Sequence, residues 1–158
     1  MKAKPLRTYV FWILLSLGTG ALSGYLSAGG MNTFQNTVLQ PPLSPPSWLF
    51  PFVWTILYSM MGISATRIRL SPPSADTRRG INLFIIQLVV NFFWSLIFFQ
   101  AEAYGFAFLW LALLWILVLA MILEFRKTDP PAAKLQIPYL LCLTFAAYLN
   151  LGIWYLNK

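Results

Sequence analysis

The sequence predicts an all-α integral membrane protein, a bundle of five transmembrane helices in a single domain spanning residues 1–158. Only 9% of the residues are charged and 59% are hydrophobic, whereas a soluble domain usually carries about 25% charged residues. Charged residues are absent from five apolar stretches of roughly 20 residues except at their ends, and each stretch is long enough as a helix to cross a hydrocarbon core about 30 Å thick. Because backbone polar groups in lipid must be paired within their own segment, we expect helices rather than strands.

Short polar segments separate these apolar stretches along the chain. The fourth stretch has almost no polar residue after Tyr104 and is typical of a scaffold helix. A cleaved signal peptide is the alternative for the first stretch, but its long apolar run favours a helix that is retained. The five helices are predicted at about 9–28, 48–68, 80–99, 104–125 and 135–156.

The basic residues indicate how the bundle is oriented. Every Lys and Arg except Lys158 lies before the first helix, between the fourth and fifth, or between the second and third together with Arg67 in the last turn of the second. These three segments share one side of the membrane. By the positive-inside rule, the N-terminus is therefore expected in the cytoplasm and the C-terminus outside. The net charge of +7 then reflects membrane topology, and nucleic-acid binding is not expected.

The longest segment predicted to lack helix is the outer loop at 29–47. It contains no Lys or Arg but carries Pro41, Pro42, Pro45 and Pro46. Proline fixes its own φ and restricts the residue before it, so this loop should be stiff. Two interpretations stay open: a rigid turn that leads the chain into the second helix, or a lid over an outward-facing pocket.

A polar stripe runs along the third predicted helix. Gln87, Asn91 and Ser95 recur at a spacing of four, with Trp94 and Phe98 on the adjacent face. An unpaired amide in hydrocarbon costs several kcal/mol, so the stripe must face protein, water or a ligand. Hydrogen bonding between helices is the simpler interpretation, and the wall of an internal pocket is the alternative.

Two further helices present aromatic faces. Such faces more often serve packing than binding, but together with the amide stripe they would suit a flat, mostly apolar molecule with a few polar anchors. At helical spacing the second helix aligns Pro51, Trp54, Tyr58, Met61 and Ala65, and the fifth aligns Tyr139, Cys142, Ala146, Leu149 and Asn150.

Catalytic and metal-binding patterns are missing from the sequence. The chain has no histidine and one cysteine, Cys142. Its four acidic residues lie in loops or at helix ends, so neither hydrolytic chemistry nor a metal site is indicated. In the first helix, Gly20 and Gly24 form a GxxxG motif, which favours close packing within the bundle and also suits dimerisation.

Three segments, in this order, resemble a known family. They are SWLFPFVWTILYSMMGISA, QLVVNFFWSLIFF and PYLLCLTFAAYLNLGIWYLN, preceded by the Pro-Pro loop. Over essentially its whole length, the chain resembles the TspO/MBR family of tryptophan-rich sensory or translocator proteins. The resemblance implies a five-helix bundle, often a homodimer in the lipid bilayer. It also implies a pocket under the loop between helices one and two for porphyrins, haem and similar flat ligands, with sterol binding in mitochondrial members.

The resemblance also implies which residues bind the ligand. We expect a receptor-like or transporter-like protein with no obligate cofactor, acting in stress or tetrapyrrole regulation. The positions that correspond to the family's ligand-binding positions are Pro41, Pro45 and Pro46 in the loop, Trp54 and Tyr58 in the second helix, Gln87, Asn91, Trp94 and Phe98 in the third, and Cys142, Ala146 and Leu149 in the fifth.

Three positions depart from the family's pattern, and they bear on two alternative functions. Phe34, Leu43 and Cys142 stand where members usually have tryptophan. Some bacterial members are proposed to degrade porphyrin in light with pocket tryptophans, and a thiol at Cys142 does not reproduce indole photochemistry. Binding is therefore favoured over light-dependent porphyrin degradation. The other alternative is a structural or assembly partner in the membrane.

Overall fold

The described part of the bundle is built from helices joined by short non-helical segments. The computed structural model describes residues 3–158, with side chains from residue 5 onward, and this part contains no strand, which confirms the all-α fold. The helices are α1 (Ala3–Leu26), α2 (Ala28–Thr37), α3 (Leu49–Arg69), α4 (Ala75–Ser95) continued by a π-helical turn (Leu96–Gln100), α5 (Tyr104–Thr128), α6 (Pro130–Leu135) and α7 (Ile137–Asn157).

Five spans of this bundle are long and apolar enough to cross a membrane. They are formed by α1, by α3, by α4 with its π-helical turn, by α5, and by α6 together with α7. The protein is a multi-pass integral membrane protein. Within residues 3–158 these five spans run alternately up and down the bundle, so the start of α1 and the end of α7 lie at opposite ends.

Packing between neighbouring helices builds the core. α1 lies along α3, α4 lies along α5, and α5 lies along α7. α5, predicted to be a scaffold helix, contacts two other spans: the Trp110 indole donates to the Val90 carbonyl of α4 at 2.7 Å and the Trp115 indole donates to the Thr144 hydroxyl of α7 at 2.9 Å. Of the predicted GxxxG pair, only Gly20 packs closely, since an added Cβ there would overlap the Tyr58 ring.

The prediction that 29–47 lacks helix is wrong for its first half, which forms α2. Tertiary packing outweighs the low helix propensity of the two glycines at its start. The Phe34 ring packs against Phe98 and Phe99, with centroids 5.4 and 5.3 Å apart. Gly30 lies so close to the Phe99 carbonyl that an added Cβ would overlap it. From residue 38 to the start of α3 the proline-rich part is not helical, as predicted.

Other helix boundaries also differ from the sequence-based expectation: α1 begins at Ala3 rather than near residue 9, and α4 and the fifth span begin earlier too. α4 begins at Ala75 rather than near residue 80, because the Ser74 side chain accepts a hydrogen bond from the Thr77 backbone N–H and caps the helix. The fifth span starts at Pro130 and breaks at Gln136. Pro138 explains the break, since it has no N–H to donate and its ring would clash with the carbonyl four residues earlier in a continuous helix.

The two ends of the bundle are chemically different. At one end, which we call the basic end, the Arg67 guanidinium pairs with Asp129 at 2.6 Å and ties α3 to the turn between α5 and α6. The start of α1 lies at this end too, because the Thr66 hydroxyl donates to the Thr8 carbonyl at 3.4 Å. The opposite end, which we call the proline end, carries α2, the segment from residue 38 to 48 and the C-terminus of α7.

Candidate functional site

Four buried polar side chains connect α3, α4 and α7 in the middle of the bundle. The Tyr139 hydroxyl donates to Gln87 Oε1 at 2.8 Å and accepts from Asn91 Nδ2 at 2.7 Å. The Tyr58 hydroxyl donates to Asn91 Oδ1 at 3.2 Å. All four side chains are buried. We call this set (Tyr58, Gln87, Asn91, Tyr139) the amide–tyrosine network.

The network explains why α4 carries amides at a spacing of four. Gln87 and Asn91 lie one turn apart on the face that meets α3 and α7, and each hydrogen-bonds to a tyrosine of another helix. Hydrogen bonding between helices, the simpler interpretation of the stripe, is therefore confirmed for these two residues. Such bonds contribute about 0.6–2 kcal/mol each within a membrane. Ser95, the third member of the stripe, is half-buried.

Trp54 lies against the network on the side of the proline end. Its ring centroid is 5.7 Å from that of Tyr58 and 6.2 Å from that of Tyr139, with an edge-to-face arrangement in the second pair. The indole is half-buried. Near Trp54, α3 and α7 are thus connected by aromatic side chains and not by close approach of their backbones.

One amide atom of the network has no partner. Gln87 is fully buried, and its Nε2 makes no hydrogen bond among the described residues. Exchanging Nε2 and Oε1 by flipping the amide would leave one polar atom unpaired as well. An unpaired buried polar group costs about 1–3 kcal/mol. The site therefore offers a polar group that a ligand can pair with.

A second group of side chains lies nearer the proline end. The Trp94 ring stacks on Phe98 with centroids 5.0 Å apart, and its indole N–H donates to Asn150 Oδ1 at 3.2 Å. Asn150 Nδ2 in turn donates to the Tyr104 carbonyl at 2.8 Å. Leu149 is buried in the same cluster as Phe98. We call this set (Trp94, Phe98, Tyr104, Leu149, Asn150) the aromatic layer.

Residues 28–47, which we call the cover segment, are attached to the aromatic layer and to α7. Phe34 packs on Phe98. The Pro41 ring is buried against Gly152, where an added Cβ would come within 2.8 Å of it. Further attachment comes from backbone groups: the Pro42 carbonyl accepts from the Tyr148 hydroxyl at 2.9 Å, and Leu39 exchanges two hydrogen bonds with the Asn157 amide, at 3.0 and 2.8 Å.

The four remaining predicted ligand-binding residues belong neither to the amide–tyrosine network nor to the aromatic layer. Pro45 is half-buried and Pro46 is exposed, and the Pro46 carbonyl accepts from the Leu49 N–H at 3.1 Å in the turn that starts α3. Cys142 and Ala146 are half-buried on α7, one and two turns after Tyr139, and pack against the main hydrophobic core.

Comparison with known proteins agrees with this architecture. The sequence profile of the TspO/MBR family matches residues 12–156. The chain belongs to the TspO/MBR family. It is 34% identical to the tryptophan-rich protein TspO of Chlorobaculum tepidum over 98% of both chains. It is 33% identical to protein CrtK of Rhodobacter capsulatus over 87% of this chain and 85% of that one. It is 37% identical to the translocator protein of Ovis aries over 75% and 72%.

Membership of the TspO/MBR family did not identify every residue of the site. Tyr139 connects the amide–tyrosine network and Asn150 connects the aromatic layer, yet neither was among the ligand-binding residues that the resemblance implied. Only their spacing in the sequence could have indicated that they belong to the site. They lie 11 residues apart, close to three helical turns, on the face of α7 that also carries Cys142, Ala146 and Leu149.

The structure also shows two clefts that the sequence did not predict. Both lie at the basic end and neither is lined by a predicted ligand-binding residue. One, of about 420 Å³, lies between the end of α3 and the start of α4. The other, of about 630 Å³, lies between α4 and the last turns of α5.

Proposed function

We propose that this TspO/MBR protein is a membrane receptor or transporter that binds porphyrins and similar flat hydrophobic ligands between α3, α4 and α7, beneath the cover segment. The observation that carries the proposal is the unpaired, fully buried amide atom of Gln87 within a site bordered by aromatic rings. A porphyrin has an extended apolar face and peripheral carboxylates. It would therefore offer a stacking surface to the indoles and a partner to a buried polar group.

The way the helices meet supports this location. Trp54 bridges α3 and α7 by ring contacts to Tyr58 and Tyr139, whereas α1 with α3 and α4 with α5 are closely packed along their backbones. Side chains rotate more readily than packed helices separate. In the proposed complex, the half-buried Trp54 ring moves and stacks on the ligand, and Gln87 and Asn91 bind its polar groups.

The names of the relatives fit such a role. Proteins similar to this chain are named translocator protein in Ovis aries and tryptophan-rich sensory protein in Cereibacter sphaeroides. A role in translocation or in sensing, as these names indicate for the relatives, is carried over to this chain as part of the proposal.

The deciding experiment is a titration of the full-length protein with protoporphyrin in the dark. The Soret absorbance and the tryptophan fluorescence are both recorded, because removing a tryptophan changes the fluorescence by itself. We expect saturation at about one ligand per chain. Trp54→Phe and Asn91→Leu should each weaken binding by about tenfold, since one removes a stacking surface and the other a buried polar partner.

Two matched control variants make the result specific to the site. Trp48→Phe changes an indole that is 70% exposed, and Asn82→Leu changes an exposed amide on the same helix as Asn91. We expect both to bind protoporphyrin within about twofold of the unaltered protein. Linear uptake without saturation, or equal losses in control and site variants, would mean that the porphyrin partitions into detergent or binds elsewhere.

The proposal includes an orientation, with the basic end in the cytoplasm. The α3–α4 connection, the α5–α6 connection and the start of α1 lie together at this end. These are the segments that carry the basic residues, which supports the orientation. In a Cys142→Ala background, Thr33→Cys and Ala75→Cys place one thiol at each end, both at exposed positions. A membrane-impermeant maleimide applied to intact cells should label only the first variant, and labelling of the second alone would reverse the orientation.

A homodimer also belongs to the proposal. The Tyr58 ring packs against Gly20, whereas a Cβ added at Gly24 would meet no atom within 4 Å. The surface at Gly24 is therefore open to a second copy of the chain. Light scattering of the detergent-solubilised protein should give a dimer that Gly24→Leu weakens. A monomeric unaltered protein, or a dimer that Gly24→Leu leaves intact, would exclude this surface.

A further inference from the structure

The cleft between the end of α3 and the start of α4, which we call the basic cleft, combines cationic and apolar side chains. Its volume is about 420 Å³, and Arg69, Arg78, Asn82 and Ile81 contribute to its wall together with residues of the connecting turn. None of its lining residues is acidic. It lies where the spans formed by α3 and α4 end, at the level expected for lipid headgroups.

All acidic side chains at the basic end are already paired with other cations. They are therefore not available to neutralise the basic cleft. The pairs are Asp76 with Arg79, Glu124 with Lys127 at 3.0 Å and with Arg79 at 3.5 Å, and Asp129 with Arg67 at 2.6 Å.

The arginines of the basic cleft are left without a counter-ion. Arg69 and Arg78 are exposed, and neither takes part in an ion pair within residues 3–158. Asn82 is exposed as well. Two guanidinium groups facing one cleft are suited to phosphate oxygens, because their planar N–H groups donate charge-assisted hydrogen bonds to such acceptors.

An apolar track leads from the basic cleft toward the middle of the membrane. Ile81, Ile85 and Val89 follow one another at a spacing of four on α4, and the last two are 39% and 51% exposed. A free anion would use only the arginines. A lipid would use both features, with its headgroup in the cleft and an acyl chain against this track.

We propose that the basic cleft binds an anionic glycerophospholipid from the adjacent leaflet, with its phosphodiester held by Arg69 and Arg78 and one acyl chain lying against Ile85 and Val89. Basic pockets between transmembrane helices bind anionic headgroups in other membrane proteins. Zwitterionic lipids are disfavoured, since their choline or ethanolamine cation would approach two uncompensated arginines. This site is separate from the proposed porphyrin pocket and does not depend on it.

The test measures lipid selectivity of the full-length, delipidated protein. Native mass spectrometry records the ratio of phosphatidylglycerol to phosphatidylcholine bound from an equimolar mixture of the two. The unaltered protein should prefer phosphatidylglycerol. Arg69→Gln and Arg78→Gln should each lower the ratio by about fivefold, as expected for one basic residue acting near a membrane surface. Because both positions are exposed, we expect glutamine to leave the fold intact, and the thermal unfolding temperature checks this.

Arg7→Gln is the matched control, because it removes an exposed arginine from the same end of the bundle without touching the basic cleft. We expect it to change the ratio by less than about twofold. An equal drop in Arg7→Gln would show diffuse attraction to the basic end and overturn the proposal. Displacement of the bound lipid by millimolar inorganic phosphate would also overturn it in favour of a free-anion site. Protoporphyrin binding should be the same in all three variants.

Discussion

The amide–tyrosine network and the cover segment use the same kinds of groups in opposite surroundings. Both depend on tyrosine hydroxyls and asparagine amides that hydrogen-bond to other parts of the chain. In the network the partners are buried, whereas Tyr148 and Asn157, which bind the cover segment, are exposed at the proline end. Removing a buried partner leaves an unpaired group, but at the membrane interface water replaces the lost bond. Removing a hydrogen-bonding group should therefore lower the unfolding free energy more in the network than in the cover segment.

Three tyrosines allow this comparison to be made with one chemical change. Tyrosine to phenylalanine removes the hydroxyl and keeps the ring, so packing is retained in each case. Tyr139 has two hydrogen-bonded partners in the network, Tyr58 has one, and Tyr148 has one at the exposed edge of the cover segment.

Tyr139→Phe should have the largest effect. It leaves Gln87 Oε1 and Asn91 Nδ2 unpaired inside the bundle, and two unpaired buried groups together cost about 2–6 kcal/mol of unfolding free energy. Reversible unfolding in mixed detergent micelles measures this loss. A loss below about 0.5 kcal/mol would mean that Gln87 and Asn91 find other partners, and that the network is not fixed by Tyr139.

Tyr58→Phe should have an intermediate effect of about 1 kcal/mol. It removes only the donor to Asn91 Oδ1, while Asn91 Nδ2 keeps its bond to Tyr139. The ring that packs against Gly20 stays in place, so α1 keeps its position. The same unfolding assay compares this variant with Tyr139→Phe. If Tyr58→Phe lost more stability than Tyr139→Phe, the bond from Tyr58 to Asn91 would contribute more to the network than the two bonds of Tyr139.

The contrast between the two regions also separates what the sequence could predict from what it could not. The apolar lengths indicated the five spans, and the spacing of four between Gln87 and Asn91 indicated the polar face of α4. Both are local patterns. The hydrogen-bond partner of each amide, by contrast, is determined by the tertiary structure. The sequence alone does not show whether a tyrosine such as Tyr139 hydrogen-bonds to a buried amide or lies at a membrane interface.

The cover segment was harder to predict, because its helix depends on a distant contact. α2 contains two glycines and few apolar residues, so its local sequence favours a loop. Phe34 makes the difference by packing on Phe98 and Phe99 of the π-helical turn, more than 60 residues away in the chain. In α7, by contrast, the position of Pro138 was visible and would have indicated the break at Gln136.

Asn157→Ala tests the cover segment directly. It removes both hydrogen bonds to Leu39, which lie in an exposed region, so the unfolding free energy should fall by no more than about 1 kcal/mol. Ligand exchange should change more, because the cover segment lies over the proposed pocket. We expect protoporphyrin to dissociate about threefold to tenfold faster in stopped-flow displacement, with little change in its association rate. An unchanged dissociation rate would exclude a lid function and favour the interpretation of the cover segment as a rigid turn.

Tyr148→Phe should have the smallest effect on stability, because the Pro42 carbonyl can accept a hydrogen bond from interfacial water instead. The hydroxyl donates to that carbonyl at 2.9 Å, and the side chain is 43% exposed. We expect less than about 0.5 kcal/mol in the assay used for Tyr139→Phe. If Tyr148→Phe destabilised the protein as strongly as Tyr58→Phe, the cover segment would belong to the folded core, and ligand entry would need a path between the helices from the lipid.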